Sequence, residues 1–321
     1  MLVGRATIFM LHRFKVLDEG VEGHDPGALR NTLELLRRHD FQLLSLHEVF
    51  RRLADESGKP LRNAVCFTVD DGYFEQAEVG GQIFAEFDCP ATIFTTSGFL
   101  DGELWFWWDQ VEFIVMQTEL PVVKVELPDG PIELSPGTED ARVEARRFVH
   151  RCKQLTTADV RSAVSLLSEA ADIRLPFEPP HRYRPMSWTA LRRLEARGIR
   201  FGPHTVTHPI LARSEAENSE WEIRESWKRL QTEASDPDPI FCYPNGGPDD
   251  FGQRELDVLK QLGFAGAVTG TPGYAIADRF RKDPDYRFRV PRYVYSDERD
   301  GMIQLISGLE RVKQILRGGR T

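Results

Sequence analysis

The sequence has few cysteines, and none of them forms a recognisable metal or redox motif. Cys66, Cys89, Cys152 and Cys242 include no Cys-x-x-Cys pair, and each lies in an apolar or helical stretch. Disulfide bonds and a cysteine-based metal site are therefore disfavoured. We expect four reduced thiols that pack as small buried side chains.

Long apolar runs are also lacking. No run approaches the roughly 18 residues that a membrane-spanning helix needs. The N-terminal stretch MLVGRATIFMLHRF is interrupted by Arg5, ends at His12 and Arg13, and is followed by no cleavage site of small residues. These features are not those of a signal peptide. We therefore expect a cytoplasmic protein with no transmembrane segment.

Positive charge is not concentrated anywhere in the chain. The net charge is −9 and no long basic tract is present, so nucleic acid is not an expected partner. Of the 321 residues, 41% are hydrophobic, which is enough for a sizeable core in one or two domains.

Strand-like and helix-like segments alternate through most of the chain. AVCFTV, residues 64–69, is a continuous apolar and β-branched run, typical of a strand that is covered on both faces. Asp25 and Pro26 are typical of a helix start, and leucines follow them at helical spacing. Repeated units of this kind predict a parallel sheet with helices outside it. About seven strands favour a closed or nearly closed α/β barrel, with an open doubly wound sheet as the alternative.

Residues 101–186 break this alternation. They begin with WFWWDQVEFIVM, continue with a predicted hairpin that turns at Pro128-Asp129-Gly130, and include two charged helical stretches. We therefore predict a barrel formed by residues 1–100 and 187–321, with a mostly helical cap inserted at 101–186. The aromatic residues of the insertion either line a substrate cleft or, as is commoner at such spacing, pack the cap onto the barrel.

Two adjacent carboxylates, Asp70 and Asp71, follow the predicted strand at 64–69. Like charges repel and burial disfavours the ionised form, so this pair needs a compensating group. His204 and His208 follow another predicted strand, and their spacing of four lets both imidazoles reach one metal ion. Active sites of α/β barrels lie at the carboxyl ends of the strands. The sequence therefore predicts a cation held by one aspartate and both histidines, with the other aspartate beside it as a base.

A third loop, FCYPNGGPDDF at residues 241–251, also follows a predicted strand. Its Pro-Asn-Gly-Gly sequence is typical of a turn. The loop either is a turn without a further role, or it directs backbone N–H groups at a developing oxyanion.

On these residues, the chain resembles the polysaccharide deacetylase family, also called the NodB-homology or carbohydrate esterase 4 family. Thr68-Val69-Asp70-Asp71-Gly72 corresponds to its TFDDG motif, His204-Thr205-Val206-Thr207-His208 to its HxxxH motif, and Tyr243-Pro244-Asn245-Gly246 stands at its RxPY motif. The resemblance covers about 5–100 and 187–295. It implies a distorted (β/α) barrel and metal-dependent removal of acetyl groups from N-acetylated amino sugars or, in some members, from O-acetyl esters.

The resemblance also implies roles for individual residues. Asp71, His204 and His208 become the metal ligands, with Zn²⁺ as the expected ion and Co²⁺, Ni²⁺ or Fe²⁺ as alternatives. Asp70 becomes the general base for the attacking water, whose pKa the metal lowers. A backbone N–H near Asn245, together with the metal, would stabilise the oxyanion.

The chain departs from the family at the arginine of RxPY, which orients the base in family members. Cys242 occupies that place. Arg292, in the predicted last strand RVPRYVY, is our candidate substitute, because a bidentate contact would hold Asp70 ionised and oriented. The alternative is an ordinary exposed arginine.

A second departure concerns the general-acid histidine that many members carry near the C-terminus in an LxH motif. No histidine follows His208, but Met10-Leu11-His12 ends the first predicted strand. Relatives that act on poly-N-acetylglucosamine have a circularly permuted sequence, which places the first strand beside the last. We therefore predict that His12 protonates the leaving amine, which departs poorly as an anion. The alternative is a buried structural histidine.

Together these observations predict a metal-dependent hydrolase. Its expected substrate is an N-acetylated amino sugar of a polysaccharide, a glycolipid or a saccharide precursor. The alternatives are an O-acetyl esterase, a hydrolase of another C–N bond such as a cyclic amide or imide, and a non-catalytic glycan-binding barrel. The presence of all three predicted metal ligands, Asp71, His204 and His208, argues against a metal-free hydrolase. The retention of Asp70 beside them argues against a non-catalytic glycan-binding barrel.

Overall fold

The structure is a computed structural model of the chain, and it describes residues 2–58, 60–137 and 140–309. The described residues fall into two compact units. One unit contains those within 1–101 and 185–321, and the other contains those within 102–184. The first unit contains all the residues for which the sequence predicts a catalytic or metal-binding role.

The secondary structure elements are numbered here in chain order. The strands are β1 Arg5–Leu11, β2 Gln42–Leu43, β3 Ala64–Val69, β4 Ala91–Thr95, β5 Val123–Leu127, β6 Gly130–Leu134, β7 Arg200–Pro203, β8 Ile240–Cys242, β9 Gly266–Val268, β10 Ala275–Ile276 and β11 Tyr293–Val294. The α-helices are α1 Pro26–Arg38, α2 Leu46–Ala54, α3 Gly81–Glu86, α4 Ser97–Leu100, α5 Trp107–Gln117, α6 Ala141–Cys152, α7 Thr157–Ala170, α8 Trp188–Glu195, α9 Ala216–Glu233, α10 Gln253–Gln261, α11 Ala277–Lys282 and α12 Arg299–Ser307. A π-helical turn, Gln76–Gly80, precedes α3.

The central sheet is mostly parallel. β1, β3, β4 and β7 run side by side in that order, β2 joins β3 and β11 joins β1 in parallel, and β10 pairs antiparallel with β1. The register places Leu11 beside Val69 and Thr95 beside Pro203. The residues that follow β1, β3 and β7 therefore lie at the same edge of the sheet.

The sheet curves toward a barrel through β8 and β9. These two strands pair in parallel, and Val268 at the end of β9 bridges Val290, just before β11. β11 in turn pairs with β1. Seven parallel segments therefore follow one another, in the order β1, β3, β4, β7, β8, β9 and β11. β7 and β8 form no ladder among the described residues. They are connected by a hydrogen bond of 2.6 Å from the N–H of Asp238, before β8, to the carbonyl of Phe201 in β7. The α/β fold that the sequence predicted, with a mostly parallel sheet and outer helices, is confirmed.

The helices begin and pack as the sequence pattern indicates. Asp25 caps α1, and its carboxylate accepts a hydrogen bond of 2.8 Å from the Ala28 N–H. The predicted apolar stripe of Leu29, Leu33 and Leu36 is fully buried. All six residues of β3 are buried as well, as expected for a strand covered on both faces.

The second unit contains α5, the hairpin β5–β6, α6 and α7. The hairpin turns after Leu127, which pairs with Gly130, so the predicted Pro128-Asp129-Gly130 turn is confirmed. Alternate residues of β5 are buried, because one face of the hairpin packs on apolar residues of the helices. The unit therefore has a hydrophobic core of its own.

Some elements differ from the sequence prediction. The predicted last strand, 289–295, is regular only at Tyr293–Val294, with Val290 as an isolated bridge. The sequence SDERDGMIQLISGLERVKQILR, residues 296–317, predicts a final helix. This helix is present as Arg299–Ser307, and its predicted part after residue 309 lies outside the described residues. Within the described part of the chain, none of the helices combines the length and the apolar character needed to span a membrane.

Candidate active site

The parallel register brings three predicted site segments together. The N–H of Asp70, one residue after β3, donates to the carbonyl of Leu11 at the end of β1. His204 follows β7, and its N–H donates to the Thr95 carbonyl at the end of β4. The carboxyl ends of these strands thus form one end of the barrel, where the sequence predicted an active site.

Asp71, His204 and His208 converge there. The Nε2 atoms of His204 and His208 lie 3.7 and 3.5 Å from Oδ1 of Asp71, and all three side chains are buried. Ligand atoms at the corners of a tetrahedral zinc site lie about 3.3 Å apart, given bonds of about 2.0–2.1 Å. The three side chains therefore fit a divalent cation with little rearrangement.

The imidazole of His204 is held in the tautomer that a metal ligand needs. Its Nδ1 lies 2.8 Å from the Cys242 carbonyl, which can only accept, so Nδ1 carries the proton and Nε2 keeps its lone pair for a metal. Burial, opposed by the charge of Asp70, lowers the pKa of His204 to about 4. The ring is therefore neutral near pH 7.

A second set of possible ligands, Asp70, His204 and Cys242, is less suited to a cation. The guanidinium of Arg292 already occupies the space beside Asp70 and Cys242. Burial also raises the pKa of the Cys242 thiol well above its usual value, which disfavours the thiolate that metals bind. The Asp71 set is therefore the candidate metal centre.

Arg292 forms a bidentate ion pair with Asp70. Its Nη1 and Nη2 lie 2.7 Å from Oδ1 and Oδ2 of that carboxylate, and only 1% of Arg292 is exposed. The Thr269 carbonyl accepts from Nε at 3.0 Å and the Thr68 hydroxyl from Nη1 at 2.9 Å. The structure thus places Arg292 in the contact proposed from the sequence, while its role in a reaction stays a prediction.

The ion pair sets the charge state of Asp70. Burial by itself would raise the pKa of this carboxyl, but the charge of Arg292 and its two hydrogen bonds hold the pKa well below the usual range. Cys242 completes the surroundings of the pair, with Sγ 3.1 Å from Arg292 Nη2 and 3.5 Å from Asp70 Oδ2. The guanidinium therefore offsets the charge of one of the two adjacent aspartates.

Backbone strain is concentrated in the loops of this site. Asp71, Thr205, His208 and Asn245 have φ values of 94°, 65°, 59° and 57°, in the left-handed region that side chains other than glycine seldom adopt. For Thr205 this conformation is especially unfavourable, because its side chain is β-branched. Such strain persists only where neighbouring groups fix the backbone, and it is found often at functional sites.

One such group, Glu222 of α9, was not predicted from the sequence. Its Oε2 accepts from the N–H groups of Val206 and Thr207 at 2.7 and 2.9 Å, and Oε1 accepts from the Thr207 hydroxyl. Glu222 is 5% exposed and therefore secures the histidine loop from inside the protein. Nothing in the sequence around residue 222 marks it, because the contact depends on how α9 packs.

His12 lies just after β1 and is exposed. Its positive charge would lower the pKa of both Asp70 and His204, so it acts electrostatically on this site. The alternative of a buried structural histidine is therefore wrong. Whether His12 donates a proton in a reaction stays a prediction.

Asn245 lies on the exposed part of the loop after β8. Gly246 next to it has a φ of 70°, and a Cβ there would lie 2.5 Å from the Gly270 nitrogen, so the close approach of the two loops requires glycine. The Gly270 N–H donates to the Gly246 carbonyl at 2.9 Å. The loop is thereby fixed at the same end of the barrel, and its part in binding an oxyanion stays a prediction.

Comparison of sequences identifies one family. A sequence model described as polysaccharide deacetylase matches residues 149–267, a range that contains His204 and His208 but neither Asp70 nor Asp71. No curated protein sequence gives a significant match.

Solved structures with the same fold cover nearly the whole chain. A deacetylase of Streptococcus pyogenes, PplD, solved in complex with acetate, has a TM-score of 0.61 at 15% identity over 95% of this chain and 99% of its own. IcaB of Ammonifex degensii gives 0.57 at 14% identity over 95% and 96%. A de-N-acetylase of Aggregatibacter actinomycetemcomitans gives 0.55 at 14% identity over 92% and 96%. The resemblance to the polysaccharide deacetylase family, which the motifs indicated, is therefore confirmed.

Proposed function

We propose that this protein is a metal-dependent deacetylase of N-acetylated amino sugars in a polysaccharide or a saccharide precursor. The observation that carries the proposal is the arrangement of Asp71, His204 and His208 around one point, with Asp70 held ionised by Arg292 next to them. The match to the polysaccharide deacetylase family supports this activity, and so does the fold shared with deacetylases such as PplD.

In this proposal Asp70 accepts the proton of the water that attacks the acetyl carbonyl. Arg292 uses one acceptor position on each carboxylate oxygen, and the Cys242 thiol also donates to Oδ2, so Oδ1 keeps a position for the water. A carboxylate of such low pKa is a weak base and requires an acidic donor. A divalent cation, when bound, supplies a lowered water pKa and polarises the carbonyl oxygen.

In this proposal Asn245 acts on the carbonyl side of the C–N bond that breaks, and His12 acts on its nitrogen side. The N–H of Asn245 would donate to the carbonyl oxygen as negative charge develops on it. The side chain of His12 is exposed, and its positive charge would lower the pKa of Asp70. His12 would donate its proton to the sugar nitrogen as the C–N bond breaks. Acetate and a free amino sugar are the products.

The test is release of acetate from N-acetylglucosamine oligosaccharides by the zinc-loaded protein. We expect turnover by the wild type and a loss of about 10²–10⁴-fold in Asp70→Asn with unchanged metal content. Asp88→Asn is the matched control, because Asp88 is exposed and asparagine tolerates its left-handed φ of 47°.

Other outcomes would contradict the proposal and favour a different function. Turnover of acetyl esters alone would favour an O-acetyl esterase. Activity that survives complete removal of metal would favour a metal-free hydrolase of another C–N bond. Saccharide binding without turnover of amide or ester would favour a glycan-binding barrel.

A further inference from the structure

The side-chain amide of Gln76 bonds to three backbone groups of the candidate active site. Its Nε2 donates to the His12 carbonyl at 2.9 Å and also to the Asp70 carbonyl, and its Oε1 accepts from the Gly72 N–H at 3.0 Å. Gln76 is fully buried, and these contacts use both of its donors and its acceptor.

Two of these groups flank the metal ligand Asp71. The Asp70 carbonyl belongs to the peptide before Asp71, and the Gly72 N–H belongs to the peptide after it. Because Gln76 bonds to both peptides, it restrains the backbone of Asp71 at its unusual φ of 94°. A conformation of this kind is unfavourable for a residue other than glycine and persists only where neighbouring groups restrain it.

The third group connects the same amide to the segment of His12. The residue after His12, Arg13, stacks on the ring of Tyr73 at 3.8 Å and pairs with the buried Glu75. The segment of His12 is therefore held to the aspartate loop by Arg13 as well as by Gln76. Gln76 also opens the π-helical turn Gln76–Gly80, a feature that is frequent at functional sites.

We propose that Gln76 is a positioning residue that sets the spacing between His12 and the Asp70–Asp71 pair and holds Asp71 in its ligand conformation. The inference rests on the proposed function for its catalytic part, while its effect on a bound cation does not depend on turnover. A purely structural glutamine would affect the stability of the fold but neither cation affinity nor turnover of the folded protein.

The test is substitution of Gln76 by glutamate, which keeps the shape and the acceptor but places an oxygen against two carbonyls. Co²⁺ affinity is measured by visible absorption, kcat and KM by acetate release, and the folded fraction by urea denaturation. Gln42→Glu is the control, because Gln42 is exposed and its Oε1 accepts from Arg52, as a glutamate oxygen also can. Gln76→Met, which loses all three hydrogen bonds without a new charge, is measured in parallel and replaces Gln76→Glu if that variant does not fold.

For folded Gln76 variants we expect Co²⁺ affinity to fall by about 10–100-fold, as for other groups that orient a metal ligand. We also expect kcat to fall while KM changes little, because alignment is required mainly in the transition state. Wild-type Co²⁺ affinity and kcat in a folded variant would overturn the proposal. If the wild type itself releases no acetate, the proposed function fails, and the Co²⁺ measurement alone still decides whether Gln76 positions Asp71.

Discussion

Arg292 and Asp70 form a buried bidentate ion pair between residues that are 222 positions apart in the chain. Relatives with an RxPY motif would place the arginine at the position of Cys242. Here the guanidinium comes from the segment before β11 and reaches the same carboxylate, with Cys242 in contact with both partners. The charge of Asp70 is therefore offset by a guanidinium from the segment before β11 and not by a residue of β8.

Substitution of Arg292 tests this pair. We expect Arg292→Lys to lower kcat/KM by about 10²-fold, because an ammonium group cannot hold both oxygens of Asp70 in one orientation. Arg292→Ala should lower the free energy of unfolding by about 3–5 kcal/mol, because it leaves a buried carboxylate without its counter-charge. Acetate release and urea denaturation measure the two effects. Arg289→Lys, at an exposed position three residues earlier, is the control, and an Arg292→Lys variant with wild-type kcat/KM would speak against the account.

Exchange of the residues at positions 242 and 292 tests whether the guanidinium that pairs with Asp70 must come from the segment before β11. Arg292→Cys alone should lose activity and stability, because Asp70 is then unpaired. Combining it with Cys242→Arg should recover part of both, because Sγ of Cys242 already lies 3.5 Å from Asp70 Oδ2 and a side chain from β8 can reach that carboxylate. Kinetics and urea denaturation of the single and double variants measure the recovery. A double variant no better than Arg292→Cys would show that the β8 position cannot supply the contact.

Much of the fold could be predicted because its signals are local. The buried run at β3, the capped start of α1 and the hairpin turn at Gly130 each depend on a few neighbouring residues. The last strand could not be bounded correctly, because within residues 289–295 only Val290 and the two residues of β11 pair with a neighbouring strand as a bridge or ladder.

The candidate active site likewise contains residues that local sequence motifs predict and residues that they do not. Asp71, His204 and His208 lie in short motifs after strands that the sequence predicts to be parallel, and this arrangement predicts that the three side chains converge. Glu222 and Gln76 act through the packing of a helix and a π-helical turn against distant loops. Their sequence neighbourhoods carry no signal for those contacts, because the contacts depend on tertiary packing.

Glu222 provides a test of how the histidine loop is held. Glu222→Ala leaves the N–H groups of Val206 and Thr207 without their acceptor, and we expect it to lower the free energy of unfolding by about 1–3 kcal/mol and Co²⁺ affinity by about 10–100-fold. Glu222→Gln should retain most of both, because an amide oxygen can accept from the same N–H groups.

Urea denaturation and Co²⁺ titration measure these effects. Glu225→Ala is the control, because Glu225 lies on the same helix and pairs only loosely with Lys228 at 3.4 Å. Equal Co²⁺ affinities in the wild type and in folded Glu222→Ala would show that the loop holds its histidines without this carboxylate.

The most direct test of the central claim is the metal content of the purified protein, measured by mass spectrometry for the wild type, His204→Gln and His39→Gln. His39 ends α1 and serves as the control histidine. The account predicts about one equivalent of a divalent transition metal in the wild type and in His39→Gln, and its loss in His204→Gln, since Nε2 of His204 is a proposed ligand. A wild type without metal after reconstitution with zinc, cobalt or nickel, or an unchanged content in His204→Gln, would contradict it.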